Sequence, residues 1–241
     1  MNIKYTLALL SITACSYLTC HSLSARHDSS DTHEPGTVIN TETVNRNGID
    51  SYFTSSEIND KIFDRINGKS FGADCTTPRT SLRYITVLHV DIDGNTRLGE
   101  MICHKSISDD LLDIFRNLYN AGYPIERMVL IDEYNADDEA SMSTNNSSSF
   151  NFRRISGSKK LSKHSRGMAV DINPLYNPYV RTRPDGKKSI APKSGKPYAD
   201  RSATFPYKIQ KGDLCYNEFI RHGFRWGGDW RKSKDYQHFE K

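Results

Sequence analysis

The sequence predicts an α+β domain, a small antiparallel sheet with flanking helices. Two segments, residues 54–67 and 108–120, have the apolar spacing of an amphipathic helix. Between them, residues 82–90 and 98–103 are short apolar segments with strand character, and Asp93-Gly94 separates them. A hairpin between two helices, followed by a C-terminal half with further short strands, favours this class.

The two helices have recognisable ends. Thr54 and Glu57 form a capping box at the start of the first helix, along which isoleucines recur every four residues. Ser108 is expected to cap the second helix, two aspartates occupy its first turn, and Gly122 ends it. Both helices are therefore expected to pack one apolar face against the sheet.

The later elements are predicted from shorter patterns. Residues 125–131 are expected to form a strand, and residues 137–149 a long polar surface loop. Residues 176–211 are rich in Pro, Gly and Lys and predict little regular structure. Residues 213–222 predict a short helix, and the last strand is expected at residues 235–240.

Length and composition fit one domain with short extensions. The chain has 241 residues, of which 36% are hydrophobic and 10% aromatic, enough for a core and too many for wholesale disorder. A formal net charge of +4 indicates no particular partner. No stretch approaches the roughly 18 to 20 apolar residues of a membrane span.

The N-terminus resembles an export signal. Residues 1–25 contain one early basic residue, Lys4, and an apolar core too short to cross a bilayer. Cleavage after Ala25 fits an ordinary signal peptide. Alternatively, residues 12–15 resemble the lipobox of bacterial lipoproteins, which would leave Cys15 lipidated. We favour processing at Cys15, because a cysteine directly after a short apolar core is uncommon by chance. We expect an exported protein of the bacterial cell envelope, periplasmic or lipid-anchored at an outer surface, with membrane contact only through Cys15.

Residues 26–50 are polar and lack a hydrophobic period, so they predict a flexible tether, and the folded domain is expected at 51–241.

Outside the signal, Cys75, Cys103 and Cys215 allow at most one internal disulfide, and free buried thiols are the simpler expectation. Their spacing matches no zinc-binding pattern, so a metal would not be held by sulfur.

The C-terminal half offers two imidazoles and two carboxylates: His164, Asp171, Asp235 and His238. A catalytic zinc has three protein ligands and one open position. We therefore assign one Zn²⁺ to His164, Asp171 and His238. Gly167 permits a sharp bend between the first two, and Asp171 lies between apolar neighbours, where a carboxylate needs a cation or hydrogen-bond donors.

Asp235 is predicted to be the general base. It precedes His238 by three residues and is expected at the turn into the last strand, close to the metal without ligating it. Zinc lowers the pKa of a water molecule that it binds to about 7. A carboxylate within hydrogen-bond reach can then remove a proton and pass it to the leaving amine.

Positive and aromatic side chains nearby are candidates for substrate contact. Arg153 or Arg154 could stabilise an oxyanion or clamp a substrate carboxylate. The surrounding lysines form either a solvated face or a patch for an anionic substrate; no nucleic-acid module accompanies them. Trp226 is expected in the core, whereas Trp230 could equally be in the core or present an indole to a groove.

Taken together, these motifs resemble the zinc D-alanyl-D-alanine carboxypeptidase family. That family includes the vancomycin-resistance dipeptidases and carboxypeptidases and the phage L-alanyl-D-glutamate endopeptidases. The residues that carry the resemblance lie within 137–241 and include Ser162-Lys163-His164-Ser165-Arg166-Gly167 with Asp171, Phe150-Asn151-Phe152-Arg153, and Asp235-Tyr236-Gln237-His238-Phe239-Glu240.

The resemblance implies a fold shared with lysostaphin-type peptidases and the hedgehog signalling domain, with zinc on the two histidines and Asp171. It also implies Asp235 as base, Arg153 as the transition-state arginine and Ser162 near the substrate. Many relatives carry Glu where this chain has Asp235, so exact substrate geometry is not transferred from them.

The implied activity is hydrolysis of peptidoglycan stem peptides, either at a terminal D-Ala or at L-Ala-D-Glu. The alternatives are a non-catalytic, zinc-containing module that binds the cell wall and a zinc hydrolase with another target. We expect a monomer whose partner is the stem peptide.

Overall fold

The computed structural model describes residues 33–155 and 157–241, so the predicted signal and the first part of the predicted tether lie outside the described residues. The α-helices are α1 Thr41–Asn47, α2 Asp60–Ile66, α3 Ser108–Asn120, α4 Asp138–Ser143 and α5 Leu214–Arg221. The strands are β1 Thr54–Glu57, β2 Leu82–Val90, β3 Thr96–His104, β4 Ala169–Asp171, β5 Tyr179–Thr182, β6 Lys188–Ala191, β7 Arg225–Trp226, β8 Ser233–Asp235 and β9 His238–Glu240. These helices and small antiparallel sheets agree with the predicted α+β class. Within the described ranges, none of the helices has the length and apolarity needed to cross a membrane.

The predicted hairpin is confirmed as the centre of the first sheet, which has the order β1-β2-β3. Its register pairs Leu82 with His104 and Val90 with Thr96. The turn between the strands is held by Asp91, whose carboxylate accepts hydrogen bonds from the backbone N–H groups of Asp93 and Asn95. Local hydrogen bonding therefore fixes the register that the sequence predicts.

Helix α3 is also confirmed, although Ile107 and not Ser108 occupies its N-cap position, and it connects the sheet with the C-terminal half. Its apolar stripe is buried, and Phe115 meets Phe219 of α5 edge to face at 6.5 Å between ring centroids. Phe219 in turn stacks on Phe239 of β9 at 4.1 Å. One continuous core therefore extends from the hairpin to the strand that carries His238.

The predicted helix at residues 54–67 is wrong in its first half. Thr54–Glu57 forms β1, which pairs antiparallel with β2, and the helix begins only after Asn59. The Asn59 side chain caps it by accepting a hydrogen bond from the N–H of Ile62 at 2.9 Å. The isoleucine face is still buried, so the hydrophobic period was right and the start was six residues too early.

The described part of the expected tether is folded. Ile39 and Val44 are buried in the main core, and Asn40 caps α1 with its side chain. The N–H groups of Gly36 and Ile39 donate to Leu98 and Thr96 of β3. These contacts place the start of the domain before Gly36, not near Ser51.

Three further segments differ from the predictions. Residues 125–131 are not part of any of the three sheets, although Ile125 donates its N–H to Val90 at 2.8 Å. Residues 137–149 are not a surface loop, because α4 is followed by buried Asn145, Asn146 and Ser147. Residues 176–211 are more regular than expected, since they contain the β5–β6 hairpin.

Two small sheets position the C-terminal half. The first has the order β4-β9-β7, and its register places Asp171 directly opposite His238. The second has the order β6-β5-β8 and pairs Tyr179 with Asp235. The predicted last strand at 235–240 is thus largely confirmed, although it is interrupted after Asp235.

The cysteines follow the simpler expectation. Cys75, Cys103 and Cys215 are all free, and the last two are buried. Burial raises the pKa of both buried thiols, so they remain neutral and act as small apolar side chains in the core.

His89 lies buried in β2, and its Nδ1–H donates to the carbonyl of Ile125 at 2.7 Å. Burial lowers its pKa from 6.5 to about 4. The unfolded chain therefore binds a proton between these pH values that the folded chain refuses, and stability falls as pH falls from 6.5 towards 4. Between pH 7 and pH 4.5, we expect the free energy of unfolding to fall by about 2 kcal/mol less in the variant His89→Gln than in the wild type. Urea midpoints at both pH values measure this; equal losses would contradict it.

Candidate metal centre

Three of the predicted residues converge in the structure. His164, Asp171 and His238 are buried, and one ligand atom from each lies within 4.8 Å of the others. Asp171 Oδ2 is 3.3 Å from His164 Nε2, and Asp171 Oδ1 is 3.0 Å from His238 Nδ1. The two imidazole nitrogens are 3.1 Å apart. These two imidazole nitrogens and one carboxylate form a compact set that could hold a metal ion. We call His164, Asp171 and His238 the metal group.

The local backbone explains how residues seven apart converge. His164 starts a short 3-10 turn, His164–Arg166, which ends at Gly167 with a left-handed φ of 65°. The chain then enters β4, where Asp171 pairs with His238 of β9. The bend at Gly167 was predicted, and it directs the imidazole and the carboxylate to one point.

The variant Gly167→Ala is expected to lower the free energy of unfolding by about 3 kcal/mol. A Cβ there would lie 2.6 Å from the backbone nitrogen of His104 and 2.9 Å from the carbonyl carbon of Cys103. Gly122→Ala is the matched control, since Gly122 has the same φ of 65° but no atom within 4 Å of the added Cβ. Urea denaturation of both variants measures the difference; an equal, small loss would show that close packing at Gly167 is unimportant.

Each histidine is oriented by its second ring nitrogen. His164 Nδ1–H donates to the carbonyl of Ser149 at 2.6 Å, which leaves Nε2 as the ligand atom. His238 Nε2 faces the Glu240 carboxylate at 3.5 Å, which leaves Nδ1 as the ligand atom. Outer hydrogen bonds of this type fix the tautomer of metal-binding histidines. Sequence reasoning missed both partners; Glu240 lies in the C-terminal motif, whereas no sequence signal identified a backbone carbonyl.

The electrostatics of the group suit a cation. Burial opposes ionisation of Asp171, but the imidazoles of His164 and His238 hold its pKa well below the ordinary range. Burial also opposes charge on His238, but its contacts with Asp171 and Glu240 raise its pKa to about 10. A carboxylate that stays ionised in a buried position needs a positive partner. A metal ion could take the place of the imidazole proton as that partner, so the donor set fits a metal ion.

Asp235 lies next to this group. A Cβ added at Gly227 would be 2.7 Å from the Asp235 Cβ and 3.3 Å from the His238 Cβ, so the two side chains flank this glycine closely. Asp235 Oδ1 is buried and has no hydrogen-bond partner among the described residues. Burial, together with the charge of Asp171, raises the pKa of Asp235 to about 6. A carboxylate with a raised pKa beside a metal group suits proton transfer near neutral pH.

Arg153 and Ser162 flank the turn that carries His164. The Arg153 guanidinium forms an ion pair with Asp138 of α4, and its backbone N–H donates to Ser165 Oγ. Ser162 is buried, and its hydroxyl accepts a hydrogen bond from the N–H of His164 at 3.3 Å. The sequence did not predict that Asp138 would position Arg153.

Arg154 and Trp230 have different surroundings. Arg154 is exposed, and its guanidinium donates to the carbonyl of Lys159 within the same loop. Trp230 is partly exposed, with its ring centroid 5.3 Å from that of His238. Trp226 is buried, as expected, and donates its indole N–H to the carbonyl of Tyr236. The structure therefore brings Trp230, but not Trp226, to the edge of the metal group.

Comparison with known families supports the resemblance seen in the sequence. Residues 156–241 match the model of a family described as D-alanyl-D-alanine carboxypeptidase. No curated protein and no solved structure matches the chain. The matched segment contains all three convergent residues and Asp235. Residues 156–241 are therefore similar to the D-alanyl-D-alanine carboxypeptidase family.

Proposed function

We propose that the protein is an exported zinc metallopeptidase that hydrolyses peptide bonds in peptidoglycan stem peptides. It would act either as a D-Ala-D-Ala carboxypeptidase or as an L-Ala-D-Glu endopeptidase. The observation that carries this proposal is the buried His164–Asp171–His238 group with the unpartnered Asp235 carboxylate oxygen beside it. The family match supports a peptidase that acts on peptidoglycan.

The proposed roles follow from the chemistry of each side chain. A zinc ion held by the two histidines and Asp171 would supply Lewis acidity and lower the pKa of an attacking water to about 7. Asp235 would take a proton from that water on Oδ1 and return it to the leaving amine. Arg153 would stabilise the negative charge that develops on the carbonyl oxygen. The Arg153 guanidinium is paired with Asp138, so it would contact a bound substrate and the Asp138 carboxylate at the same time.

Substrate contacts are assigned to three residues. Trp230 beside His238 is proposed to pack against the peptide next to the scissile bond. Ser162 and Arg154 stay proposals for substrate binding, Ser162 because it lies next to His164 and Arg154 because its charge suits a terminal carboxylate.

We also propose that the domain has the fold of the lysostaphin-type peptidases and hedgehog signalling domains. It would bind one zinc ion and act as a monomer. Export by the segment 1–25, with or without a lipid on Cys15, would place the domain in the cell envelope near its substrate.

A non-catalytic, zinc-containing wall-binding module is the alternative. Asp235 weighs against it, because a structural zinc needs no additional buried carboxylate with an unpaired oxygen. Burying such a group destabilises a fold, so its presence favours a functional role.

Digestion of purified muropeptides, followed by mass spectrometry, tests the proposal. We expect new stem-peptide termini that disappear when a chelator is present and return when Zn²⁺ is restored. New C-termini lacking one D-Ala identify a carboxypeptidase, and new termini between L-Ala and D-Glu identify an endopeptidase. Binding to peptidoglycan without any cleavage would favour the non-catalytic module.

A further inference from the structure

A second cleft lies apart from the metal ligands. Its volume is about 330 Å³, within the range of small-ligand sites. Its walls carry apolar, hydroxyl and amide groups together with the rings of Tyr176 and Tyr207. Glu126 is the only charged residue among those that line it. None of these residues has a role in the proposed hydrolysis.

The cleft is preformed. Tyr207 is buried and adopts a left-handed φ of 59°, an unusual conformation for an aromatic residue. Its hydroxyl accepts a hydrogen bond from the N–H of Ile92 at 3.0 Å and donates one to the Glu126 carboxylate. Its carbonyl accepts one from the side chain of Asn177 at 2.8 Å. These bonds hold Tyr207 and Glu126 in place without a ligand.

The cleft also lies close to the metal group, because its lining residues are near Asp171 along the chain. Leu175, on one wall, follows Asp171 by four residues, so their Cα atoms lie no more than about 14 Å apart. The Leu175 N–H donates to the side chain of Asn145, on the same lining, at 3.1 Å. Three residues after Asn145, Ser148 pairs with Asp171 itself. A peptide lying across the metal group could therefore reach the cleft with a side chain a few residues away.

We propose that this cleft binds the primary ammonium group of a peptide side chain. A single carboxylate in an otherwise uncharged cleft attracts a cation and repels an anion. The adjoining tyrosine rings add to this preference, because aromatic faces attract cations. A charge-assisted hydrogen bond to the Glu126 carboxylate would fix the position of the ammonium group.

Positive charge near the metal group complements this preference. The segment around His164 carries Arg153, Arg154 and Arg166, which would attract a carboxylate. A peptide with an amine-bearing side chain and a free carboxylate would then bind in one direction across the metal. This directional part rests on the proposed function, whereas recognition of the amine by Glu126 does not.

The binding of a simple probe tests the inference. Amide chemical shifts of the full-length protein are followed while the tripeptide Ala-Lys-Ala is added, and again with its Nε-acetylated form. We expect about tenfold tighter binding of the free amine, with shifts centred on Leu175 and Tyr207. Equal affinity for the two peptides, or shifts confined to other regions, would overturn it. This comparison uses the wild type and so does not depend on the folding of any variant.

Two variants with the same charge change sharpen the test. Glu126→Gln can still accept the Tyr207 hydroxyl and is expected to remove the preference for the free amine. Glu57→Gln, on the exposed strand β1, should keep it. A preference that survives in Glu126→Gln contradicts the assignment. Because binding is measured without turnover, a wild type that cleaves muropeptides but shows no preference for the free amine refutes only this inference. A wild type that shows the preference but does not cleave refutes only the peptidase.

Discussion

Replacement of Asp235 by asparagine is expected to slow peptide hydrolysis by about 100- to 10,000-fold without loss of metal, because the amide cannot accept a proton from the attacking water. The substitution keeps the shape of the side chain between Gly227 and His238. Initial rates on the muropeptide that the wild type cleaves measure the first effect, and elemental analysis of the purified protein measures the second.

The stability of this variant provides an independent readout. Because burial raises the pKa of Asp235 to about 6, the charged carboxylate destabilises the metal-free fold above that pH. The metal-free variant should therefore be at least as stable as the wild type at pH 7.5. Asp229→Asn is the matched control, since this exposed carboxylate pairs with Lys211 at 3.6 Å and its replacement should leave the rate unchanged. Wild-type turnover by Asp235→Asn would remove Asp235 as the base.

Removal of one ligand is expected to have the second large effect. His238→Ala should weaken zinc binding by more than about 100-fold, because loss of an outer hydrogen-bonding partner alone typically costs 10- to 100-fold. The substitution leaves Asp171 with one imidazole instead of two. Competition with a chromophoric chelator gives the affinity.

The control for this experiment is His222→Ala. His222 lies at the end of α5, where its Nδ1 contacts the carbonyl of Glu218. It should bind zinc as the wild type does. Near-stoichiometric zinc in His238→Ala after dialysis against chelator would refute the ligand assignment.

Local patterns predicted the elements whose stability is local. The β2–β3 hairpin and α3 follow from alternation, a turn held by Asp91 and an apolar stripe. The segment Thr54–Glu57 was missed because its strand conformation depends on pairing with β2, some thirty residues away. A capping-box pattern cannot reveal such a partner.

Polar composition misled the prediction for residues 137–149. Asn145, Asn146 and Ser147 resemble loop residues, yet they are buried, and their side chains bond to backbone groups. The Asn146 amide both accepts from the N–H of Val129 and donates to its carbonyl, so at Val129 a side chain takes the place of a strand partner. A sequence alone does not distinguish an asparagine that satisfies a neighbouring backbone from one that faces water.

The candidate metal group was predictable because its chemistry restricts the residue types. Two histidines and an aspartate flanked by apolar residues have few uses together, and Gly167 supplied the bend. Glu240 and Asp138 were not identified, because a carboxylate that orients another side chain has no characteristic sequence separation from its partner. Such contacts arise only when the chain is folded.

We propose that His164, Asp171 and His238 hold a catalytic zinc beside Asp235. The most direct measurement is anomalous diffraction at the zinc absorption edge from crystals of the zinc-loaded protein. We expect one peak about 2.0 to 2.2 Å from His164 Nε2, His238 Nδ1 and an Asp171 carboxylate oxygen. We also expect that no fourth protein ligand is present and that Asp235 faces the open position. A peak elsewhere, or one in which Asp235 completes a closed four-ligand shell, would contradict it.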